Sequence, residues 1–314
     1  MKSRSEKSKL VILFLAARPK FLVASAAPIL VGTSLAFATT GSFNLGLFIL
    51  ALLAIMALHA GANITNDYFD HISGNDWVNK NPTPFSGGRR FIQEDILSAQ
   101  TTLLTALFCF VLGSVIGILI VLLTKSYFIL ILGVVGLLGG FFYTAPPFKL
   151  GYRCVGEFVI ALLFGVFPVY ASYYLQTESF DTVPLLPAVI VALLIFLVIL
   201  INEFPDVAAD AEVSKKTLVV RFGVPTAIWI YRIALIGSYV IAGIMLIHSP
   251  LFLAGLLYLL TLPVAVLGLK AANKNGLVTP GLFRASQITV LLHTIDSLAL
   301  TIGFVISGLR NAAV

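Results

Sequence analysis

Charged side chains are scarce in this chain of 314 residues. Asp, Glu, Lys and Arg together account for 11% of it, whereas 59% of the residues are hydrophobic and the mean hydropathy is +1.02. A soluble domain of this size would leave much of that apolar surface in water, so the composition excludes a soluble globular protein. The net charge of +6 does not indicate nucleic-acid binding, because the basic residues lie between apolar segments instead of forming one stripe.

Cysteine is also rare. The two thiols, Cys109 and Cys154, form no CxxC pair and have no metal-ligand spacing, so we interpret them as packing residues. The opening segment, residues 1–20, is basic and then briefly apolar, but Arg18 and Lys20 interrupt it and no small-residue cleavage site follows. We therefore expect a retained basic amphipathic segment at the membrane surface instead of a cleaved signal peptide.

Long apolar runs occur throughout the chain, and segments of about 20 apolar residues match the thickness of a bilayer's hydrocarbon core. The pattern predicts an all-α polytopic membrane protein, a single transmembrane domain over residues 1–314, with nine spans at 21–40, 43–66, 101–124, 127–145, 154–175, 184–203, 224–247, 250–269 and 283–308. Gly113 and Gly117 are four residues apart in the third span, as are Gly136 and Gly140 in the fourth. This spacing predicts close helix packing.

Lysine and arginine are distributed unequally between the two sets of connections. Only Lys125 and Arg310 belong to the set that contains the short loops, and Arg232 lies within a span. The other seventeen belong to the N-terminal segment and the longer connections: Lys2, Arg4, Lys7, Lys9, Arg18, Lys20, Lys80, Arg89, Arg90, Lys149, Arg153, Lys215, Lys216, Arg221, Lys270, Lys274 and Arg284. The positive-inside rule therefore predicts an integral plasma (inner) membrane protein whose N-terminus and long connections are cytoplasmic and whose C-terminus is outside.

The second and sixth spans end in matching groups of polar residues. Asn63 and Asp67 are four residues apart and Asp70 follows three later, so all three lie on one face of a helix. At the end of the sixth span, a second group with a spacing of four consists of Asn202, Asp206 and Asp210. The second group begins 139 residues after the first (202 − 63) and repeats its design.

Both groups carry a charge that the C-terminal end of a helix normally avoids. Carboxylates there oppose the helix macrodipole, and clustered carboxylates repel one another, so the arrangement requires neutralising cations. Mg²⁺ prefers oxygen ligands and binds through one or two carboxylates together with substrate phosphates. We therefore predict that the two acidic groups converge and hold Mg²⁺ against one shared diphosphate.

Pairs of basic residues follow each acidic group, and a third set lies in the connection YTAPPFKLGYR. Their members are Arg89 and Arg90, Lys215 and Lys216, and Lys149 and Arg153. Carboxylates flanked by Lys and Arg suit a phosphate-bearing ligand, whereas bare carboxylates suit a cation pathway. The sequence does not rank the two members of each adjacent pair.

Several segments together resemble the UbiA superfamily of intramembrane aromatic prenyltransferases. They are NITNDYFD followed by GND, YTAPPFKLGYRCVGE, and NEFPDVAAD followed by KKTLVVRFG, with ARPKFLVASAAPILVGT at the start of the first span. The resemblance covers nearly the whole chain, and NDYFD, LGYR and KKTLVVRFG are most similar to the branch that prenylates 1,4-dihydroxy-2-naphthoate in menaquinone synthesis. It implies a nine-helix bundle with a central cavity open to the cytoplasmic side and to lipid.

The resemblance also implies the groups that bind a prenyl diphosphate. Mg²⁺ and the diphosphate would be held by the catalytic carboxylates Asp67, Asp70, Asp206 and Asp210, with Asn63 and Asn202 as orienting or direct ligands. The distal carboxylate of the first motif is Asp70 or Asp76, and we favour Asp70, with Asp76 in a supporting role.

The same resemblance implies contacts around the reacting groups. Candidates for contact with the diphosphate or the aromatic acceptor are Arg89, Lys149, Arg153 and Lys215, with Arg153 also counted as catalytic. Tyr143 and Tyr152 are expected beside the developing carbocation, because aromatic faces attract positive charge. We expect Glu157 to orient Arg153, four residues earlier on one helix face.

Other functions use the same residues differently. The acceptor could be 4-hydroxybenzoate, homogentisate or a glycerol-phosphate lipid instead of the naphthoate. An ion-coupled transporter would use the acidic groups as a cation site, but both groups end spans of like orientation, unlike the inverted repeats of many transporters. His293 and Asp296, three residues apart in the last span, form either a functional or a structural pair.

Overall fold

The computed structural model of this chain describes residues 8–80, 82–273 and 282–312. The helices of these residues are α1 (Lys9–Ala16), α2 (Pro19–Thr40), α3 (Leu45–Ile72), α4 (Asn75–Val78), α5 (Ala99–Thr124), α6 (Tyr127–Phe142), α7 (Gly156–Ala161), α8 (Phe167–Thr177), α9 (Leu185–Glu203), α10 (Val207–Glu212), α11 (Leu218–Met245), α12 (Phe252–Leu259), α13 (Leu262–Ala271) and α14 (Leu282–Ala312). A π-helical turn, Leu162–Val166, joins α7 to α8. The basic residues Lys2, Arg4, Lys7 and Lys274 of the predicted charge bias lie outside the described residues.

Seven helical segments of the described residues are long and apolar enough to cross a membrane. The pair α12 and α13 meets at an angle of 54° and raises the number to eight if it forms one broken span. The fourth predicted span, 127–145, corresponds to the 16-residue helix α6. At 1.5 Å per residue this helix is about 24 Å long, which is shorter than a hydrocarbon core of roughly 30 Å. The all-helical membrane architecture is confirmed, whereas the count of nine spans is not.

Helix α9 lies at the centre of the bundle. Its most apolar stretch is 67% buried within the protein, including Leu194, Leu197 and Leu200, as expected for a helix that is apolar on all sides. The corresponding stretch of α5 is only 22% buried, and this helix exposes Phe108 and Val115. Contiguous exposed apolar side chains of this kind suit contact with lipid chains.

The short helix α1 lies against one edge of the bundle. Ile12 and Ala16 are buried in a cluster with Ile64 of α3, whereas Leu10 and Phe14 are largely exposed. A helix with one packed face and exposed apolar side chains is typical of a segment at a membrane surface. The described part of the N-terminal segment therefore has the form that an amphipathic surface helix requires.

The glycine spacing predicts helix contacts correctly at two positions and wrongly at two others. A Cβ atom at Gly113 would lie 2.8 Å from a leucine of α3, and one at Gly140 would make an ordinary van der Waals contact at 3.7 Å. A Cβ atom at Gly117 or Gly136 would meet no atom of the described residues within 4 Å. Gly117 and Gly136 do not pack against a neighbouring helix but line a cavity.

A tight helix crossing lies at Gly165, in the π-helical turn. A Cβ atom there would be 2.4 Å from Cα of Ala192 in α9, so the backbone would have to move. We expect Gly165→Ala to lower the thermal unfolding midpoint of the detergent-solubilised protein through a loss of about 1–3 kcal/mol. Gly243→Ala is the matched control, because a Cβ atom there meets nothing within 4 Å. Equal midpoints for the two variants would contradict the packing argument.

The long polar connections meet at one end of the bundle. The side chain of Asn75 in α4 donates to Oδ1 of Asp210 in α10 at 2.8 Å, which joins the connection after α3 to the one after α9. The backbone N–H of Lys216 donates to the carbonyl of Tyr152 at 3.2 Å, which joins the latter to the connection before α7. The ends of α3 and α9 and the starts of α7 and α11 are therefore held together here.

Candidate functional site

The two acidic groups meet at this end of the bundle. Lys215 lies between them, with its Nζ 3.3 Å from Oδ1 of Asp210 and 3.8 Å from Oδ2 of Asp70. Burial alone would lower the pKa of Lys215, but the two carboxylates hold it well above its ordinary value. The carboxylates that the sequence places on separate helices therefore share one cation.

Arg18 completes the cluster from the α2 side. It precedes α2 with a φ of 54°, in the left-handed region that few residues other than glycine adopt. Its guanidinium pairs with Oδ1 of Asp67 and donates to Oδ1 of Asn66 at 3.3 Å. In the sequence, Arg18 contributes to the charge bias and lies in the segment ARPKFLVASAAPILVGT, but it is not among the predicted site residues.

Asp70 and Asp76, the two alternatives for the distal carboxylate of the first motif, have different surroundings. Asp70 accepts hydrogen bonds from Nδ2 of Asn66 at 2.9 Å and from the hydroxyl of Tyr152 at 3.1 Å. Asp76 is 2% exposed and accepts from Nε2 of Gln93 at 3.1 Å. Asp70 therefore belongs to the shared cluster, and Asp76 lies behind it.

Gly88 leaves room in front of two of these carboxylates. Its φ is +69°, and a Cβ atom there would lie 3.0 Å from Oδ1 of Asp67 and 3.3 Å from Oδ2 of Asp76. The next residue, Arg89, donates its backbone N–H to Asp67. A side chain at position 88 would fill the space that faces the carboxylate oxygens.

The carboxylates that lie outside the membrane-spanning segments are short of positive charge. Burial, together with neighbouring carboxylates, raises the pKa of Asp76 to about 8. Burial and the charge of Asp210 raise the pKa of Asp206 to about 6, against the opposing effect of the hydrogen bond from Nδ2 of Asn79, which is 2.8 Å long. An added cation would stabilise the ionised form of both aspartates.

A cavity of ≈ 180 Å³ borders the cluster. Its polar end includes Asn63, Asp70, Asn202, Asp206, Asp210 and Lys215, and Tyr143 also lines it. Its apolar end includes Phe21, Ile160, Phe164, Ile195 and Val198. Asp67 is not part of the wall, because Arg18, which pairs with it, lines the cavity instead. The cavity thus has one charged end and one apolar end.

A second, apolar cavity of ≈ 310 Å³ lies among α3, α5, α6 and α8. Its wall includes Gly117, Gly133 and Gly136, and Phe164 lines both this cavity and the first one. The ring of Phe164 packs against His59, with ring centroids 4.6 Å apart. One aromatic side chain therefore lies at the boundary between the two cavities.

Three of the predicted site residues that do not line the first cavity line a separate cleft. Lys149, Tyr152 and Arg153 line an open cleft of ≈ 850 Å³. Tyr152 forms the boundary, because its hydroxyl donates to Asp70 at 3.1 Å while its ring lies 5.3 Å from Nζ of Lys149. The structure therefore divides the predicted basic residues between two compartments.

The expectation that Glu157 orients Arg153 is wrong. Glu157 accepts the backbone N–H of Leu218 at 2.7 Å, because its side chain turns towards the start of α11. Arg153 instead donates to the carbonyl of Pro147 at 3.2 Å. Glu157 therefore stabilises the position of α11.

The structure also separates the members of the adjacent basic pairs. Lys215 lines the first cavity and Lys216 lines the cleft. The side chain of Arg90 donates to the backbone carbonyl of Asp76 at 2.9 Å and so stabilises the connection between α3 and α5. The backbone N–H of Arg89 instead contacts Asp67.

The pair in the last span, His293 and Asp296, does not line the first cavity. Asp296 accepts a hydrogen bond from the hydroxyl of Thr261, between α12 and α13, at 2.5 Å. This contact favours the structural interpretation of the pair.

The donor set on the cavity wall suits a hard divalent cation. The available oxygens belong to Asn63, Asp70, Asn202, Asp206 and Asp210, and Mg²⁺ prefers oxygen ligands. Oδ1 of Asn202 is buried and has no hydrogen-bond partner among the described residues, so it is available to coordinate a metal. Within the described ranges no group of three His, Cys, Asp or Glu residues is already arranged around a metal position. Oδ1 of Asp210 is contacted by both Lys215 and Asn75. The residues fit a metal that binds together with an anionic ligand.

Comparison with known proteins gives one consistent result. Residues 25–276 match the model of the UbiA prenyltransferase family. The chain is 30% identical over 312 residues to a 1,4-dihydroxy-2-naphthoate octaprenyltransferase of Haemophilus influenzae, covering 96% of this chain and 100% of that protein. It is 28% identical over 301 residues to a 2-carboxy-1,4-naphthoquinone phytyltransferase of Synechocystis, covering 95% and 94%.

Solved structures share the fold. A UbiA homolog from Archaeoglobus fulgidus, bound to GPP and Mg²⁺, has a TM-score of 0.67 at 16% identity and covers 92% of this chain and 99% of its own. The family match spans most of the sequence, and the relatives are named as enzymes that transfer prenyl groups. The chain is therefore a member of the UbiA prenyltransferase family.

Proposed function

We propose that this protein transfers the prenyl group of an allylic prenyl diphosphate to 1,4-dihydroxy-2-naphthoate, with Mg²⁺, in menaquinone biosynthesis. The observation that carries the proposal is the cavity in which two acidic helix ends meet at one end while the other end is apolar. Such a cavity suits a ligand with an anionic head and an apolar tail. The names of relatives that act on naphthoate or naphthoquinone acceptors support the choice of acceptor.

The metal ligands follow from the wall of the cavity. Asp70, Asp206 and Asp210 would hold Mg²⁺, with Asn63 and Asn202 as further oxygen ligands. We assign the distal position of the first motif to Asp70, because Asp76 does not line the cavity. Asp67, which pairs with Arg18, would serve either as a further metal ligand or as the neutralising partner of Arg18. When bound, Mg²⁺ neutralises the charge that develops on the departing diphosphate.

The cations of the chain act on the same leaving group. Nζ of Lys215 lies between the acidic groups and donates to the diphosphate oxygens, as does the guanidinium of Arg18. The carbon–oxygen bond breaks with its electron pair on the diphosphate, and the allylic carbocation takes an electron pair from the acceptor ring. The ring then regains aromaticity by losing carbon dioxide or a proton.

The walls protect this carbocation. Tyr143 lines the cavity and offers an aromatic face to the positive charge. The apolar end excludes water, which would otherwise trap the cation. We assign the cavity behind Phe164 to the prenyl tail, because it is apolar and adjoins the first cavity. Arg89, Lys149 and Arg153 do not line the first cavity, so their contact with the diphosphate stays a prediction.

The orientation follows from the charge bias. We propose that the end of the bundle with the acidic cluster faces the cytoplasm in the plasma (inner) membrane, with the C-terminus outside. Water-soluble substrates would then reach the charged end of the cavity, and the prenyl tail would lie among the spans.

Prenyl transfer by the purified protein is expected to require Mg²⁺ and a naphthoate acceptor. EDTA should abolish product formation from a labelled allylic diphosphate, and excess Mg²⁺ should restore it, because the carboxylates need a cation to hold the diphosphate. In a panel of acceptors, 1,4-dihydroxy-2-naphthoate should give the main product. If product forms only with 4-hydroxybenzoate, homogentisate or a glycerol-phosphate lipid, that compound replaces the naphthoate as the proposed acceptor. Cation-coupled uptake into vesicles without any prenyl transfer would contradict the proposal that the protein is an enzyme.

A further inference from the structure

The open cleft beside Tyr152 gathers positive charge outside the first cavity. Its wall includes Lys149, Arg153, Lys216 and Arg221, and no acidic residue among those that the structure describes lines it. In the described part of the chain, Arg18 and Lys215 form the ion pairs at this end of the bundle. None of the four cleft side chains takes part in them. Like charges gathered without a carboxylate are unfavourable until an anion neutralises them.

The backbone around the cleft has an unusual conformation. Lys149, Cys154 and Ser214 all line it, and their φ angles are 45°, 59° and 58°. Residues other than glycine seldom adopt this left-handed region. Such conformations persist where the surrounding structure determines them, and they cluster at binding sites.

Backbone contacts fix the two connections that form the cleft. A parallel bridge joins Arg153 to Lys216, with the N–H of Lys216 donating to the carbonyl of Tyr152 at 3.2 Å. Two of the cations therefore come from positions that the backbone holds side by side. Arg221 follows in the first turn of α11, whose start is held by Glu157. The cations belong to a built wall and not to independent flexible loops.

We propose that this cleft binds an anionic phosphate group at a site separate from the first cavity. Arginine offers paired N–H donors that match phosphate oxygens, and lysine adds a compact charge. Tyr152 stands between the cleft and Asp70, so the bound phosphate faces the four cations and not the carboxylates. A free diphosphate and the headgroup of an anionic phospholipid share this chemistry. The site does not depend on the transfer reaction, and its failure would leave the proposed function untouched.

Direct binding tests the site without catalysis. In the first arm, inorganic diphosphate is titrated by calorimetry into the purified full chain in detergent. EDTA is present because, without a metal, the carboxylates of the first cavity repel this anion. Lys216→Gln/Arg221→Gln should bind about tenfold more weakly than the unmodified protein, because two charge contacts are lost. Added salt should weaken binding further. The second arm counts, by native mass spectrometry, the phosphatidylglycerol and phosphatidylcholine molecules that each protein retains.

The matched control is Lys20→Gln/Lys80→Gln, which removes the same charge from exposed positions outside the cleft. Loss of diphosphate binding in the cleft variant alone identifies a free anion as the ligand, and selective loss of phosphatidylglycerol identifies a lipid headgroup. Either result supports the site. Equal binding of both probes by the cleft variant and the control overturns it, as does failure of the unmodified protein to bind either probe. If the double variant unfolds, the single variants Lys216→Gln and Arg221→Gln decide by the same criteria.

Discussion

Prenyl transfer is expected to fall by about 100-fold or more in Asp206→Ala, with the protein still inserted and folded. Asp206 lines the first cavity, and its carboxylate accepts a hydrogen bond from Asn79 at 2.8 Å. The substitution therefore removes a proposed oxygen ligand of Mg²⁺ whose orientation is fixed by that hydrogen bond. Product formed at saturating Mg²⁺ measures the loss. Glu212→Ala is the matched control, because Glu212 is exposed two residues beyond Asp210 and should keep normal activity and an unchanged unfolding midpoint.

Asp67→Ala is expected to cause a comparable loss, although Asp67 does not line the cavity and pairs with Arg18. Asp67 could serve either as a metal ligand or as the neutralising partner of Arg18, and its loss would lower the activity in both cases. The Mg²⁺ dependence of the residual activity of Asp67→Asn separates the two roles. If Asp67 is a ligand, this variant needs a higher Mg²⁺ concentration for half-maximal transfer than the unmodified protein, whereas a neutralising role leaves that concentration unchanged. Near-normal turnover in both alanine variants would contradict the metal model.

The convergence of the acidic groups could be predicted because it depends on local spacing and on charge. Helical periodicity places Asp67 and Asp70 near one face of α3, and carboxylates at a helix end require a cation wherever they lie. The partners of these carboxylates could not be predicted in the same way. Asn75 donates to a residue 135 positions away, and Arg18 pairs with one 49 positions away, so both contacts are set by tertiary packing.

The differences between the predicted and the observed fold have a similar origin. Hydropathy registers apolar length, so it predicts one span at 250–269, where the structure has a bend of 54° between α12 and α13. The glycine spacing that predicts a contact is the same at Gly113 and Gly117, but only Gly113 faces a neighbouring helix. Whether a helix surface meets protein, lipid or a cavity depends on its neighbours, which a single sequence does not specify.

Filling the apolar cavity is expected to make the protein select against long prenyl diphosphates. Gly136 of α6 lines this cavity, and a Cβ atom there meets nothing within 4 Å. Gly136→Phe would therefore place its ring in a volume of ≈ 310 Å³, which is near the lower limit for ligand pockets. A short allylic tail should still fit in the first cavity, whereas a long tail loses the space behind Phe164.

The measurement is the ratio of kcat/KM for octaprenyl diphosphate to that for geranyl diphosphate. We expect this ratio to fall by about tenfold or more in Gly136→Phe, as is typical when a pocket loses room for part of its ligand. Gly243→Phe adds the same side chain to another helix at a position with nothing within 4 Å and outside the cavity, so it should leave the ratio unchanged. A ratio that is the same in both variants would mean that the tail leaves the first cavity by another route. A fall confined to Gly136→Phe would assign chain-length selection to the glycine-lined wall, because only there does the added ring reduce the space available to the tail.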